Sequence, residues 1–397
     1  MTGSCDAVSG ACASHFADPC EVAAIDAAYL ARILAGAAGT AAAPAILDVS
    51  RELLRAGTAS SLAGDVYLFR IRHRRTGGGA AEQTLVLKTG RHPAVWRDGV
   101  AARCRCLGLV ALAAQVERHR DAFSAGVPLE ILAYREIVPR LPVAAPRVLH
   151  TVSDQETGRY WVFMEEVAGT VRGSGAGGEI PWSELVLEAA VDELARLHAV
   201  FFRGSGRTLP AGLPLERWSS AWIESTLPYW IEVERAMRPR CRDLLGAPGA
   251  ALIQRASANL PQIARRLDRG PRTIVHGDCS PGNLVLAGGR LLFTDWGNVA
   301  CDTPAFDLHC LIHAALDPSV EPVLVTRLVE RYLLALAGAG CAPPERGEFL
   351  ELYDLSVLRY TVTRLLAVCC LADPARDPRP FRILERNVRW ALEREKR

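Results

Sequence analysis

The chain has 397 residues, 50% of them apolar and 23% charged, and 46 Lys and Arg against 44 Asp and Glu leave a net charge of +2. That length allows two or three domains with large cores, and the composition is that of a globular protein. A balance so close to neutral gives no general electrostatic case for nucleic acid or an acidic membrane surface, so neither is expected as a partner. No run of about 20 apolar residues suggests a transmembrane helix, and the N-terminus lacks the basic and apolar regions of a signal peptide. The 12 cysteines include no CxxC pair, and vicinal Cys369 and Cys370 suit reduced thiols better than a disulfide framework. A cytoplasmic protein is expected.

In chain order, residues 1–19 read as a polar leader without packing partners. Residues 21–35 place Val22, Ile25, Tyr29, Ile33 and Leu34 at helical spacing and predict a helix that packs on the following domain. Strands are predicted over 46–54 and 65–72, the second with Tyr67, Phe69 and Ile71 on one face and Arg70, Arg72 and Arg74 on the other. The arginine row has no interleaved exposed aromatics and reads as a solvated sheet face rather than a nucleic-acid surface. The Gly/Ser turn at 57–64, with Ser60 and Ser61, could offer backbone N–H groups to anionic oxygens, although it lacks GxGxxG spacing. Residues 84–88 form an apolar strand that closes on Lys88. Glu130 and Glu136, six apart on a predicted helix, point to different faces, so only one can partner such a lysine. Residues 146–150 and 160–167 predict a strand pair.

Gly173, Gly175 and Gly178 satisfy GxGxxG, but the acidic residue a dinucleotide site needs about 20 residues on, after a second strand, is missing. That segment reads as a loop. Helices are predicted over 185–202, where His198 joins the core stripe, and within 213–268, which holds Trp218, Trp222 and Trp230. Further helices are predicted over 306–316, 323–336, 348–371 and 381–393. His309 and His313, four apart, could share a metal, but no HExxH or third ligand accompanies them, and packing is the expected role.

The chemistry concentrates in residues 273–307, TIVHGDCSPGNLVLAGGRLLFTDWGNVACDTPAFD. A strand at 273–275 delivers His276, Gly277 and Asp278 to a loop, and a hairpin over 284–286 and 291–294 delivers Asp295. A carboxylate, an amide five residues later at Asn283 and a second carboxylate beyond a hairpin match the logic of phosphoryl transfer. One Asp accepts the proton of an attacking hydroxyl, while the Asn and the other Asp hold Mg²⁺ on nucleotide phosphates. Cys279 is either an accessible thiol beside those phosphates or a side chain turned into the apolar wall.

His-Gly-Asp, Asn five places after the Asp, then Asp-Trp, resembles the aminoglycoside phosphotransferase/choline kinase superfamily of kinase-like small-molecule phosphotransferases, over roughly residues 46–320. The string E-I-x-x-Y-R-E-x-x-P beginning at Glu130 is similar to the ecdysteroid-kinase-like branch, where the first Glu pairs with the strand lysine, and it selects Glu130. The resemblance implies a two-lobe α+β fold, a small antiparallel sheet followed by a larger helical lobe. The expected division is a leader and helix at 1–45, a nucleotide-binding lobe at 46–166 and a catalytic, acceptor-binding lobe at 167–397. It further implies Mg²⁺ with ATP or GTP, and transfer to a small-molecule hydroxyl acceptor by a monomer or homodimer.

In that frame Asp278 is the base, Asn283 and Asp295 hold metal, and Lys88 with Glu130 positions phosphates. Ser60, Ser61 and Ser280 lie near the nucleotide, and the backbone around Glu165 and Val167 meets the adenine edge. Asp307 braces the loop and His276 orients it. Ser280 stands where protein kinases carry a phosphate-touching Lys, and no APE segment follows, so a small molecule is expected rather than a protein substrate. A nucleotide-binding protein without catalysis could dispense with Asp278. Antibiotic-like natural products compete with choline-like metabolites as acceptors. A polycationic aminoglycoside favours an acidic site, for which Glu345, Glu348, Glu351 and Asp354 are the candidate rim.

Overall fold

The computed structural model describes residues 21–396 except 41, 56–62, 76–77, 91–92, 120–128, 155, 157–158, 168–169, 172–181, 203–212, 214, 217, 288–289 and 317–321. Ser60, Ser61, the leader and the 173–178 glycines therefore lie outside the described residues. The chain divides into two compact units: Met1–Gly57 with Ala63–Gly90 and Arg147–Glu166, and Thr58–Leu62 with Arg91–Pro146 and Val167–Arg397.

The first unit is built from α1 (Ala27–Ala38), β1 (Ile46–Arg55), β2 (Ala63–Arg74), β3 (Ala80–Gly90), β4 (Val148–Asp154) and β5 (Arg159–Glu165). Its sheet runs β1-β2-β3-β5-β4, with every neighbouring pair antiparallel. Asp26 starts α1 by accepting the Tyr29 N–H at 2.7 Å, and Gly39, at φ 66°, ends it. The apolar stripe of α1 (Tyr29, Leu30, Ile33, Leu34) packs on Phe69, Ile71, Leu85, Leu87 and Phe163. Each such side chain contributes about 1.5–3 kcal/mol on leaving water. Alternation along β3 puts Lys88 on the face opposite Leu85 and Leu87, in register with Val66 and Val162. Arg70, Arg72 and Arg74 are exposed, as their row predicts.

The second unit opens with α2 (Pro93–Cys106), α3 (Val110–Arg118), α4 (Leu129–Leu132), β6 (Thr170–Val171) and α5 (Glu184–Ala199). It continues with α6 (Ser220–Ala258), α7 (Leu260–Arg269), β7 (Thr273–Val275), β8 (Leu284–Ala287), β9 (Arg290–Phe293) and β10 (Ala300–Asp302). The remainder is α8 (Ala305–Ala315), α9 (Pro322–Gly338), α10 (Arg346–Tyr360), α11 (Leu366–Leu371) and α12 (Arg379–Glu395). Residues 91–146, expected with the nucleotide-binding lobe, group here instead: α3 packs on α2 and α6, and α4 packs on the turn at Trp296–Asn298.

The helical region at 213–268 is kinked, because Gly246 takes φ 69° inside α6. Trp218, Trp222 and Trp230 cluster at its start, with the Trp218 and Trp222 rings 4.8 Å apart. The helix expected over 348–371 is α10 and α11 joined by a π-turn at Thr361–Leu365. Two small sheets, β7 with β10 and β6-β8-β9, carry the loops that matter for chemistry. Among the described residues no helix is long and apolar enough to cross a membrane.

His309 and His313 are buried on α8. His313 donates from Nδ1 to Asn387 Oδ1 at 2.7 Å, and burial lowers its pKa to about 4. His309 donates to the Phe306 carbonyl at 2.9 Å, and its pKa too is held well below the usual value by burial. A histidine whose pKa is lower folded than unfolded contributes fully above about pH 6.5 and loses that contribution as pH falls toward 4. For His313 the loss reaches about 3 kcal/mol, at 1.36 kcal/mol per pKa unit. The stability gap between wild type and His313→Gln, read from Tm, is therefore expected to narrow on acidification through this window. Parallel curves contradict it.

Candidate active site

The loop after β7 is held by one buried carboxylate. Asp307, in the first turn of α8, accepts the backbone N–H of His276 at 2.5 Å and of Gly277 at 2.9 Å. It is steadied by His198 Nε2 at 3.3 Å, and Tyr332 donates its hydroxyl to His198 Nδ1 at 2.9 Å. All three side chains are buried, as the stripe on α5 predicts for His198. The expected bracing role of Asp307 thus has a direct geometric form.

Gly277 is required at its position. It sits at φ 78°, and a Cβ there would lie 1.9 Å from the Asn298 carbonyl oxygen. His276 donates from Nε2 to the Thr294 carbonyl at 2.8 Å and accepts the Asp278 N–H at Nδ1, 3.3 Å away. Its ring packs 4.7 Å from that of the buried Trp296. The histidine therefore ties the loop to the end of the hairpin.

The polar residues singled out in sequence converge through the same backbone. Asn283 Nδ2 donates to the Asp278 carbonyl at 2.8 Å, which commits the amide nitrogen to the loop and leaves that bond independent of the amide oxygen. Thr294 clasps the Asn283 carbonyl with its N–H at 2.9 Å and its hydroxyl at 3.1 Å. Asp295 follows directly and adopts a left-handed conformation, φ 62° and ψ 63°. Such a backbone is rare for a residue with a Cβ and is commonest where a site over-determines it. Ser280, half-buried, opens the turn at Pro281–Asn283 and donates its N–H to the Asp278 carbonyl at 2.8 Å.

Glu130 belongs to this group and Glu136 does not. A Cβ on Gly297 would lie 3.5 Å from Asp295 Oδ1 and 4.0 Å from Glu130 Oε2, so both carboxylates flank that glycine. Glu130 is 1% exposed. Glu136 pairs at the surface with Arg135 at 2.9 Å and Arg140 at 3.9 Å.

Lys88 and Glu165 lie in the first unit. Lys88 is 7% exposed, and Glu165 pairs with Arg147 at 3.2 Å while its N–H bonds the Arg147 carbonyl. Val167, half-buried, begins the second unit's main segment.

Two expectations resolve one way. Cys279 is fully buried and its thiol is pushed well above its ordinary value by burial, so it is the inert wall residue rather than an accessible thiol. Three of the four acidic residues at 345–354 are engaged in structure. Glu345 caps α10, Glu351 pairs with Arg266 at 2.9 Å, and Asp354 accepts from Trp390 and Arg394.

One neighbour of Asp278 was not legible in sequence. Arg364, in the π-turn, lies 3.1 Å from Asp278 Oδ2 and also bonds the Gly277 carbonyl. Nothing in residue spacing marks it, since its approach depends on a break in helical register.

The model of the phosphotransferase enzyme family matches residues 63–385. Among solved structures, a choline kinase from Cryptosporidium parvum Iowa II is 9% identical, with 88% of this chain and 89% of that one covered at a TM-score of 0.50. This likeness carries the two-lobe, kinase-like α+β fold. A choline kinase from Streptococcus pneumoniae is 12% identical, covering 88% of this chain and 94% of its own at a TM-score of 0.43. An aminoglycoside-3'-phosphotransferase of type VIII is 18% identical, covering 78% and 93% at 0.41. No curated protein matches. With the family model spanning most of its length and both small sheets of the site, this chain belongs to the phosphotransferase enzyme family.

Proposed function

We propose that the protein moves the γ-phosphoryl group of ATP or GTP onto a hydroxyl of a small molecule. The supporting observation is the linkage of Asp278, Asn283 and Asp295 through the Asn283 amide and the Thr294 clasp. Asp278 takes the proton of the acceptor hydroxyl, a step worth roughly 10²–10⁴ in rate. Asn283 and Asp295 would supply hard oxygen ligands for Mg²⁺, and the Asn283 amide, whose nitrogen is taken by the Asp278 carbonyl, keeps its oxygen for that role. Bound there with nucleotide, the ion neutralises charge on the phosphates. Lys88 and Glu130 are each assigned to nucleotide binding, Lys88 to the α/β-phosphates, and the Glu165–Val167 backbone to the adenine edge.

The acceptor is proposed to be a metabolite or natural-product alcohol rather than a polycationic aminoglycoside. Glu345, Glu351 and Asp354 are already engaged, and the charge beside Asp278 is a guanidinium. A nucleotide-consumption screen over neutral, anionic and polycationic alcohols, with products identified by mass, tests this. Turnover confined to polycations contradicts the acceptor assignment.

Asp295→Ala is expected to weaken the Mg²⁺ dependence of nucleotide binding, because a primary ligand is lost. Titrations with and without Mg²⁺ check it, and an unchanged metal dependence means that Asp295 serves only the turn.

A further inference from the structure

We propose that Arg364 is a positioning residue of this site: it grips Oδ2 of Asp278, leaving Oδ1 for the acceptor proton, and the π-turn of the helix serves to bring it there. The inference rests on the function proposed above and adds a residue that function does not require. Among the described residues, Arg364 is the one ion-pair partner of the Asp278 carboxylate, at 3.1 Å. Its other terminal nitrogen bonds the Gly277 carbonyl, so a single guanidinium fork spans loop backbone and side chain. The loop is thus fixed twice, its N–H groups by Asp307 from α8 and its carboxylate by Arg364.

The helix is built for this approach. Arg359 and Arg364 are five residues apart, which in an α-helix of 3.6 residues per turn puts them about 140° apart. The π-turn at Thr361–Leu365 closes with i→i+5 bonding and brings such a pair toward one face. Arg359 pairs with Asp302 at 2.5 Å, and Asp302 stands opposite Thr273 at the start of β7. Arg364 meets Gly277 and Asp278 just beyond the end of that strand. One helix therefore holds both ends of β7. The Thr361 and Thr363 hydroxyls donate to the Val357 and Arg359 carbonyls, each at 2.6 Å, and Asn387 donates to Thr361 at 2.8 Å. These side chains take up backbone groups at the wide turn and fix its position. Burial works against the Arg364 charge, and the Asp278 carboxylate, with that of Asp295, outweighs it.

The test compares Arg364→Met and Arg364→Lys with wild type, using Asp278→Asn as reference. Mg-ATP consumption is followed with the alcohol found by screening, or with water as acceptor. For Arg364→Met, kcat is expected to fall by about 10- to 100-fold, the scale of a misplaced catalytic group, with the KM for Mg-ATP nearly unchanged. Guanidinium chloride at low concentration restores part of that kcat, equal sodium chloride does not, and guanidinium does nothing for Asp278→Asn. Arg364→Lys retains charge without the planar fork and falls between. Should Arg364→Met fail to fold by its Tm, the Lys variant decides through depressed kcat at constant KM. Wild-type or raised kcat in the Arg364 variants, with Asp278→Asn inactive, overturns the proposal, the raised value marking an inhibitory lock instead. Loss of kcat without guanidinium rescue also overturns it, in favour of a structural role. Full turnover by Asp278→Asn instead removes the base assignment itself, and the role of Arg364 falls with it.

Discussion

Asp278→Asn is expected to bind Mg-nucleotide almost as wild type does while turnover drops by roughly 10²–10⁴. The substitution keeps the shape of the side chain and leaves the loop's own bonds intact. The Asp278 N–H still meets His276 Nδ1, and its carbonyl still receives Asn283 Nδ2. Only the proton acceptor and the Arg364 ion pair are lost. Calorimetric nucleotide binding and initial rates on one preparation separate the two quantities. A rate near wild type contradicts the assignment of the base.

Gly277→Ala is expected to be as damaging by a different route. The added Cβ would lie 1.9 Å from the Asn298 carbonyl oxygen, and the residue is held at φ 78°. Left-handed strain alone costs about 1–3 kcal/mol, and the clash is with backbone that cannot rotate away. The loop must shift, carrying Asp278 with it, and a displacement of about 1 Å can cost 10²-fold in rate. Tm and kcat should fall together here, whereas Asp278→Asn lowers kcat alone. An alanine variant with wild-type melting and rate contradicts this account of the glycine.

These two positions also mark how far the sequence could be read. His276, Gly277, Asp278, Asn283 and Asp295 were legible because loop and hairpin spacing is local, and the strands and the α1 stripe were legible because their periods are regular. The clash that demands Gly277 was not, since Asn298 approaches it from across the loop. Arg364 was hidden by the π-turn, which breaks the period on which helix-face assignments depend. Glu345, Glu351 and Asp354 looked like a free acidic rim because Arg266, Trp390 and Arg394, which engage the last two, are distant in sequence, while Glu345 caps its own helix. Residues 91–146 group with the second unit through contacts that no local pattern announces: α3 and α4 pack on elements about a hundred residues or more later. Cys279 follows Asp278 in sequence yet turns into the core.

The most direct measurement follows γ-labelled ATP and GTP into product, with Mg²⁺ and a panel of small alcohols, for wild type and Asp278→Asn side by side. The account predicts that wild type transfers the label to the hydroxyl of at least one alcohol, giving a product heavier by one phosphoryl group, and that Asp278→Asn forms it slower by roughly 10²–10⁴. Nucleotide binding without label transfer to any alcohol, or equal product from both proteins, would contradict it.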